Sequence, residues 1–489
     1  MSNGNTYVNN FIWRTMEHVG ARGVGLIVSM ILARLLLPSE YGEVAIVTVI
    51  LNLLSASIES GFAQALIQKK DADTLDFSSI FYLNVAVSVA FYILMFLAAP
   101  FIASFYRIEH LKPVVRVQSL LLLISGVKSV QIAYVAKHMI FKKFFFATLG
   151  GTIGAAVIGI WMAYNGYGVW AIVTQSLFNN TVDTLILWFT VKWRPTKQFS
   201  FQRVKTLFGY GSKLLLATLI DKIYWDIRQL IIGRVYTTED LAYFNKGGAL
   251  PNEIYQTINN GMGDILFPAM SYVQDDIDRL KAWVKRSIML HSYVFCPVMF
   301  GLAAVAKPLI TVMYSERWID SVPYFQVICF MYVFTSIGTP CVSAIKATGH
   351  SDIWLRINYI RAPIHLLGLL IAVRYSVMAV AVAAVVTTNI SSLLCAYSSK
   401  KLFHYPRWQQ IRDMLPHLLL SLFMAGCVWA VTLLGWSAWL TLIVQVPLGV
   451  ALYVVGSRLL KFEMFPYTLN LAKDYLRRIR HRGEKNDTV

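Results

Sequence analysis

The chain has 489 residues, of which 57% are hydrophobic and only 14% are charged. Soluble domains carry about a quarter charged residues, so this composition excludes a soluble globular protein and predicts a polytopic membrane protein. The net charge of +18 does not indicate nucleic-acid binding, because the basic residues lie in short loops between apolar segments and form no basic soluble domain.

Apolar segments of about 20 residues, the length that crosses a bilayer as a helix, follow one another along the chain. They predict an all-α fold with about fourteen transmembrane helices. The approximate limits are 10–37, 41–66, 77–105, 113–136, 144–164, 168–191, 206–235, 241–270, 286–313, 322–346, 354–374, 377–399, 413–434 and 437–460. No short apolar region with a small-residue cleavage site opens the sequence, so the first span is expected to remain in the mature protein.

Basic residues cluster after every second span, and the alternate loops carry few. The clusters include Lys69 and Lys70, the segment Lys192–Lys205, and Lys400 and Lys401. By the positive-inside rule, this pattern predicts that both termini are cytoplasmic. The basic tail 461–489 favours either a helix lying on anionic lipid or a solvated end that fixes the topology.

The sequence also repeats itself at a spacing of 200 residues. This shift takes Arg34 to Arg234 and Glu40 to Asp240, and an apolar run, an arginine, a turn and an acid recur at both places. We therefore predict two six-helix lobes in a parallel pseudo-twofold repeat, with two extra C-terminal helices. The predicted parts are an N-lobe 1–191, a cytoplasmic linker 192–205, a C-lobe 206–400, an appendage 401–460 and the basic tail 461–489.

Charged and imidazole side chains lie inside several of these spans. Each charge at the bilayer centre costs roughly 2.5–3.5 kcal/mol, so these side chains are expected to face a protein-lined or watery cavity. The excess of arginine and lysine predicts an anionic cargo, because a guanidinium binds phosphate or carboxylate in a bidentate manner. The cationic substrate-binding candidates are Arg14, His18, Arg22, Lys222, Arg228 and Arg286.

Internal ion pairing is the alternative for these charges. Arg14 with Glu17, and Lys222 with Asp226, would neutralise each other and hold helices together without binding cargo. Asp221, Asp226 and Asp264, together with Glu59, are the candidates for coupling to protons or Na⁺.

Amide, aromatic and acidic side chains follow one face of two spans that are related by the repeat. A sugar-bearing cargo would find hydrogen-bonding partners there, and interhelical hydrogen bonding is the alternative of equal weight. The candidates for lining a glycan site are Asn52, Glu59, Trp225, Asn252, Tyr255, Gln256 and Asn259. The pair Gly150-x-x-x-Gly154 favours close helix packing over a functional site.

Neither a metal site nor a cofactor is indicated. The five cysteines are dispersed through apolar segments without a CxxC pair, and no two histidines have metal-ligand spacing on one helix. We expect no catalytic residue, no metal and no cofactor.

A series of short motifs resembles one transporter superfamily. The motifs are Ala33-Arg34, Tyr41-Gly42, Ser60-Gly61-Phe62, Ile67-Gln68-Lys69-Lys70, Tyr82-Leu83-Asn84-Val85, Leu266-Phe267-Pro268-Ala269, Gln274-Asp275-Asp276, Arg317-Trp318, Gly338-x-Pro340 and Asp352. Their order and spacing over about residues 10–460 resemble the multidrug/oligosaccharidyl-lipid/polysaccharide (MOP) exporter superfamily. Within it, the chain is similar to the Wzx-type oligosaccharide flippases, in the branch that includes the colanic-acid exporter.

The resemblance implies a flippase for a surface polysaccharide. Its cargo would be an undecaprenyl-pyrophosphate-linked oligosaccharide, moved from the cytoplasmic to the outer leaflet of the bacterial inner membrane by alternating access. The last two spans would be available for the lipid tail. Membrane lipid and polysaccharide polymerase or assembly proteins are expected partners, and the protein is expected to be a monomer. The charges of the first span match no motif of the superfamily.

Two other functions compete with this interpretation. A lipid II or multidrug exporter of the same superfamily is the nearer alternative, although drug exporters usually lack the last two spans and favour acidic cavities. A polymerase, ligase or glycosyltransferase would need a long external loop with catalytic acids, and no loop here is long enough. We therefore expect a protein that is not an enzyme.

Overall fold

The computed structural model describes residues 20, 23–59, 62–69, 71–138 and 140–470, and every regular element in these ranges is helical. The helices are α1 Gly23–Leu35, α2 Pro38–Glu59, α3 Phe62–Gln68, α4 Thr74–Tyr106, α5 Leu111–Gln118, α6 Leu120–Lys137, α7 Phe141–Tyr164, α8 Val169–Thr190, α9 Phe201–Val235, α10 Thr238–Tyr272, α11 Ile277–Ala304, α12 Ala306–Tyr314, α13 Val322–Val333, α14 Thr335–Ala347, α15 Ser351–Ala372, α16 Val377–Phe403, α17 Arg407–Ala430 and α18 Ala438–Leu459. Residues 464–470 form a final helical stretch. The predicted all-α fold is confirmed.

Eight helical segments of the described chain are long and apolar enough to cross a membrane, or nine if the bent pair α13–α14 is one span. They comprise α2, α4, the α5–α6 pair, α11, α15, α16, α17 with the turn after it, and α18. The protein is thus a multi-pass membrane protein. Helices α8, α9 and α10 have spanning length but carry more polar residues, and the total of fourteen spans stays a prediction.

The chain divides into two compact units, Met1–Ala242 and Tyr243–Val489. Helix α9 belongs to the first unit, where it packs on α2, α3 and α4. In the second unit, α11 packs on α13, α14 and α17, and α16 packs on α13, α14 and α15. The units are defined by contacts between residues, whereas the lobes were predicted from the sequence repeat. The two-lobe repeat therefore stays a prediction.

The two turns at the heart of the repeat have the same local structure. Helix α1 ends at residue 35 and α2 begins at residue 38, while α9 ends at residue 235 and α10 begins at residue 238. Glu40 accepts a hydrogen bond from the amide of Leu37 at 2.7 Å, and Asp240 accepts one from the amide of Thr237 at 3.2 Å. In both turns the third residue of the following helix is acidic. Its carboxylate accepts a hydrogen bond from the backbone amide of the residue just before that helix.

Several of the predicted spans are interrupted or bent helices in the described part of the chain. The predicted span 286–313 breaks at Val305, because Pro308 has no amide to donate to the carbonyl of Ala304 and its ring crowds that position. The predicted span 113–136 is divided at Ser119, and 322–346 bends by 42° at Phe334.

A buried carboxylate attaches the first turn of α9 to the start of α4. The Asp76 side chain is fully buried, and its oxygens lie 2.5 Å from the Lys69 ammonium and 3.4 Å from the Arg203 guanidinium. The second arm of Arg203 reaches Asp73 at 3.3 Å. Asp73 caps α4 by accepting from the Asp76 amide at 2.8 Å, which lowers the pKa of its carboxyl, and the positive charges of Arg203 and Lys69 lower it further.

Two buried serines extend this attachment along the linker. The amide of Thr196 donates to the Ser78 hydroxyl, and the amide of Ser200 donates to the Ser79 hydroxyl, both at 3.0 Å. Ser200 in turn caps α9 through the Arg203 amide. The first turn of α4 thus determines where α9 begins.

Glycines allow α7 and α8 to approach closely. A β-carbon added to Gly151 would lie 2.1 Å from a carboxylate oxygen of Asp183, and one added to Gly154 would lie 2.7 Å from the Phe178 ring. The packing interpretation of the Gly150-x-x-x-Gly154 pair is confirmed, because larger residues would separate these helices.

Candidate functional site

In the first unit, the predicted cation Lys222 lies beside the predicted polar residue Asn52. The Lys222 ammonium on α9 donates to the backbone carbonyl of Asn52 on α2 at 3.3 Å. Lys222 is half-buried, and the Asn52 side chain is exposed. The packing of α9 on α2 therefore brings a cationic candidate and a glycan-lining candidate together.

The pairing of Lys222 with Asp226 is not formed. Asp226 is half-buried one turn further along α9, and the two charges are close enough to interact electrostatically. Among the described side chains, however, no carboxylate forms an ion pair with Lys222. The ammonium is held by a neutral carbonyl and keeps its capacity to bind an anion.

In the second unit, part of the polar face of α10 is used for helix packing. The Tyr332 hydroxyl on α13 donates to the side-chain oxygen of Asn252, and the Thr339 hydroxyl on α14 donates to that of Asn259 at 2.7 Å. The Tyr255 ring stacks on Tyr332 with centroids 4.1 Å apart. Interhelical hydrogen bonding, the alternative for this face, therefore accounts for two of its amides.

The members of the predicted site differ in exposure. Gln256 and Asn252 are exposed on α10, and Glu59 is exposed at the end of α2. Arg228 is half-buried on α9. The Arg286 guanidinium lies over the ring of Tyr467, 4.2 Å from its centroid, so it contacts the final helical stretch.

Several predicted residues lie outside the described part of the chain. Arg14, His18 and Arg22 precede the continuous description of α1. The side chains of Asp221, Trp225 and Asp264 are likewise outside it, although their backbones belong to α9 and α10.

Two cations near one indole ring were not grouped by sequence reasoning. The Lys346 ammonium on α14 and the Arg361 guanidinium on α15 lie 5.2 Å and 5.6 Å from the centroid of the Trp354 ring. Two positive groups and an aromatic face are the chemistry that binds an acidic sugar. The seven-residue spacing of Trp354 and Arg361, two helical turns, could have revealed that they share a face.

Three other polar residues of the predicted spans, Lys128, Asp183 and His291, have partners within the protein. The Lys128 ammonium and the Asp183 carboxylate form a largely buried ion pair at 3.1 Å between α6 and α8. His291 is fully buried and lies 3.0 Å from the Ser336 hydroxyl. Such contacts join helices within each unit.

An apolar groove lies between α11, α17 and α18, with a volume of about 380 Å³. Its walls include Gly301, Val428, Gly449 and Tyr453. The Gln445 amide, its main polar group, donates to the carbonyl of Val428 at 2.8 Å. The groove therefore presents mostly hydrocarbon, which suits a lipid tail.

No three histidine, cysteine or acidic side chains lie close enough to hold a metal ion within the described ranges. The chemistry available in the described site is the binding of anions by lysine and arginine and of hydroxyl groups by amides.

Residues 31–323, more than half of the chain, match the family described as "Polysaccharide biosynthesis protein". The succinoglycan biosynthesis transport protein ExoT of Rhizobium meliloti is 24% identical over 367 residues, which cover 74% of this chain and 73% of ExoT. The lipopolysaccharide biosynthesis protein WzxC of Escherichia coli is 22% identical over 348 residues, 71% of each chain.

Two solved structures share the fold. The lipid II flippase MurJ, in an inward closed conformation, aligns with a TM-score of 0.76 at 14% identity and covers 93% of this chain and 99% of its own. An inward-facing multidrug resistance MATE transporter of the MOP superfamily aligns with a TM-score of 0.60, also at 14% identity, over 83% of this chain and 98% of its own. The chain belongs to the polysaccharide biosynthesis protein family and has the fold of the MOP-superfamily transporters.

Proposed function

We propose that the protein is a flippase for polyprenyl-pyrophosphate-linked oligosaccharides. It would move the repeat unit of a surface polysaccharide from the cytoplasmic to the outer leaflet of the bacterial inner membrane, by alternating access and without covalent catalysis. The observation that carries the proposal is Lys222, a cation in a predicted span that is held by a carbonyl and by no described carboxylate. Family membership agrees with it, because the relatives ExoT and WzxC are named for polysaccharide biosynthesis.

Each part of such a cargo has a chemical counterpart in the chain. The pyrophosphate would be bound by Lys222 together with the predicted cations Arg14, His18, Arg22 and Arg228, because charge-assisted hydrogen bonds to phosphate are about twice as strong as neutral ones. The exposed amides of Asn52, Asn252 and Gln256 would bind the glycan. The groove between α11, α17 and α18 would hold the prenyl tail.

The membrane potential would favour outward transport of this cargo. An anion that crosses the full field outward gains roughly 2.3 kcal/mol per charge for each 100 mV of inside-negative potential. The same field would draw the empty cationic site back inward. Coupling to protons or Na⁺ through Glu59, Asp221, Asp226 or Asp264 is the alternative.

Substitution of Lys222 tests the site. Lys222→Gln removes the charge but keeps a hydrogen-bond donor, so we expect surface polysaccharide to fall at least about tenfold, the loss of one charge-assisted bond, while membrane insertion is unchanged. Lys222→Arg should retain much of the export. The matched control is Lys205→Gln, an exposed lysine near the start of the same helix. Normal export by Lys222→Gln would remove this residue from the site.

A further inference from the structure

A second cavity lies at the opposite end of the α17–α18 hairpin from its turn. It has a volume of about 680 Å³ and is lined by the first half of α17, the residues that follow α18, and Met289 of α11. That volume is within the range of roughly 300–1,000 Å³ that is typical of small-molecule sites. Because α17 and α18 are joined by a short turn, the start of one and the end of the other lie at the same membrane face.

Three charged side chains line this cavity and form no ion pair or hydrogen bond with another described residue. Arg412, Lys461 and Glu463 are all exposed lining residues. Among the described residues, none of the three side chains forms an ion pair or a hydrogen bond. Two cations and one acid are thus available to a ligand.

The remaining acid of the cavity is already satisfied. The Tyr405 hydroxyl donates to the Asp413 carboxylate at 2.6 Å, and the Lys285 ammonium lies 3.7 Å from its other oxygen. Burial and the bond to Asp413 raise the pKa of Tyr405, so its hydroxyl remains a donor at neutral pH. Asp413 therefore does not compete for Arg412 or Lys461.

Proline supplies an additional acceptor at the same place. Pro416 lies inside α17 and has no amide, so the carbonyl of Arg412 lacks its normal helical donor. A carbonyl oxygen beside Arg412 can therefore accept a hydrogen bond from a ligand.

The other lining side chains of the cavity are mostly apolar, and several of them are exposed. The side chains of Leu415, Leu419 and Leu460 are 40%, 54% and 59% exposed. In a membrane-spanning hairpin, exposed leucines of this kind contact acyl chains. The cavity thus combines a charged rim at the end of a hairpin with a hydrocarbon wall along it, which is the polarity of a phospholipid.

We propose that this cavity binds a phospholipid with a zwitterionic phosphoethanolamine headgroup. Arg412 and Lys461 bind the phosphate, Glu463 and the Arg412 carbonyl bind the ammonium, and an acyl chain lies along the leucines. Glu463 distinguishes this ligand from a purely anionic lipid and from a polyprenyl pyrophosphate, because its charge would repel both. The cavity shares no lining residue with the groove proposed for the prenyl tail, and the inference does not depend on the proposed function.

Native mass spectrometry of the full chain, purified in detergent, tests this inference. Phosphatidylethanolamine and phosphatidylglycerol with the same acyl chains are added separately, and the bound fraction of each is measured. We expect the unmodified protein to retain phosphatidylethanolamine about tenfold better, the effect of one charge-assisted contact. Glu463→Gln should remove this preference, and Arg412→Gln should weaken the binding of both lipids. Arg374→Gln, an exposed arginine outside the cavity, is the control.

Two results would overturn the proposal. If the unmodified protein and Glu463→Gln both retained the two lipids equally, the charged side chains of the cavity would not discriminate between headgroups. Displacement of phosphatidylethanolamine by undecaprenyl pyrophosphate would assign the cavity to the prenyl cargo. Gel filtration of each variant identifies any that fails to fold, and Lys461→Gln then replaces Arg412→Gln.

Discussion

Removal of the Asp76 carboxylate should release the linker that leads into α9. Asp76 is fully buried between two cations, and loss of one partner of a buried ion pair costs about 3–5 kcal/mol. The cations themselves are less buried, with side-chain exposures of 25% for Lys69 and 39% for Arg203, so both can regain water. For Asp76→Ala we therefore expect the lower end of that range, about 3 kcal/mol of local stability.

Limited trypsin digestion measures this opening directly, because the linker 192–205 contains several lysines and arginines. When opening is fast compared with cleavage, the cleavage rate is proportional to the fraction of molecules in which the linker is open. A loss of about 3 kcal/mol of local stability raises this fraction, and with it the cleavage rate, roughly a hundredfold. The fragments are identified by mass spectrometry of the detergent-solubilised protein. Asp71→Ala, which removes an exposed acid from the loop before α4, should be cleaved like the unmodified protein. Equal cleavage of the Asp71 and Asp76 variants would refute the role of the buried carboxylate.

Three further predictions concern packing and energetics. Gly151→Ala should lower the free energy of unfolding by about 1–3 kcal/mol, because the added methyl group overpacks against α8. Gly209→Ala is the control, since nothing lies near its added β-carbon, and it should leave the free energy of unfolding unchanged or raise it slightly. Thermal circular dichroism measures both. Thr339→Val should lower the free energy of unfolding by about 1–3 kcal/mol, because the Asn259 oxygen loses its hydrogen-bond donor, while export per folded molecule should persist. Loss of export without loss of stability would instead place Asn259 in the cargo site. In reconstituted vesicles, cargo flipping should accelerate with an imposed potential, and a rate indifferent to potential would rule out field-driven transport.

Features set by neighbours in the chain could be predicted from the sequence. The turns at Glu40 and Asp240 share their bounds because each acid binds an amide only three residues away. The break before Pro308 follows the same logic, since a missing amide acts on a carbonyl four residues earlier, and sequence reasoning could have placed it there. Helix limits from residue 74 onward mostly lie within a few residues of the predicted spans, because apolar length determines them.

Contacts between helices could not be predicted in the same way. The polar face of α10 was recognisable, but the partner of Asn259 is Thr339, which lies 80 residues further along the chain. Periodicity shows which residues share a face and leaves open which helix meets that face. The pairing of Lys128 with Asp183, 55 residues apart, depends equally on how α6 packs against α8. The polar residues could therefore be identified from the sequence, but their hydrogen-bond and ion-pair partners could not, because those depend on which helices pack together.

The proposed transport of a lipid-linked glycan across the inner membrane can be tested in cells. The most direct test measures the lipid-linked glycan pool in cells without this gene, and its sidedness by the access of glycan-modifying enzymes to each leaflet. We expect undecaprenyl-linked oligosaccharide to be trapped on the cytoplasmic face. The unmodified gene should restore its transfer to the outer leaflet, and a gene that encodes Lys222→Gln should not. An unchanged pool with normal surface polysaccharide, or accumulation of lipid II in its place, would contradict it.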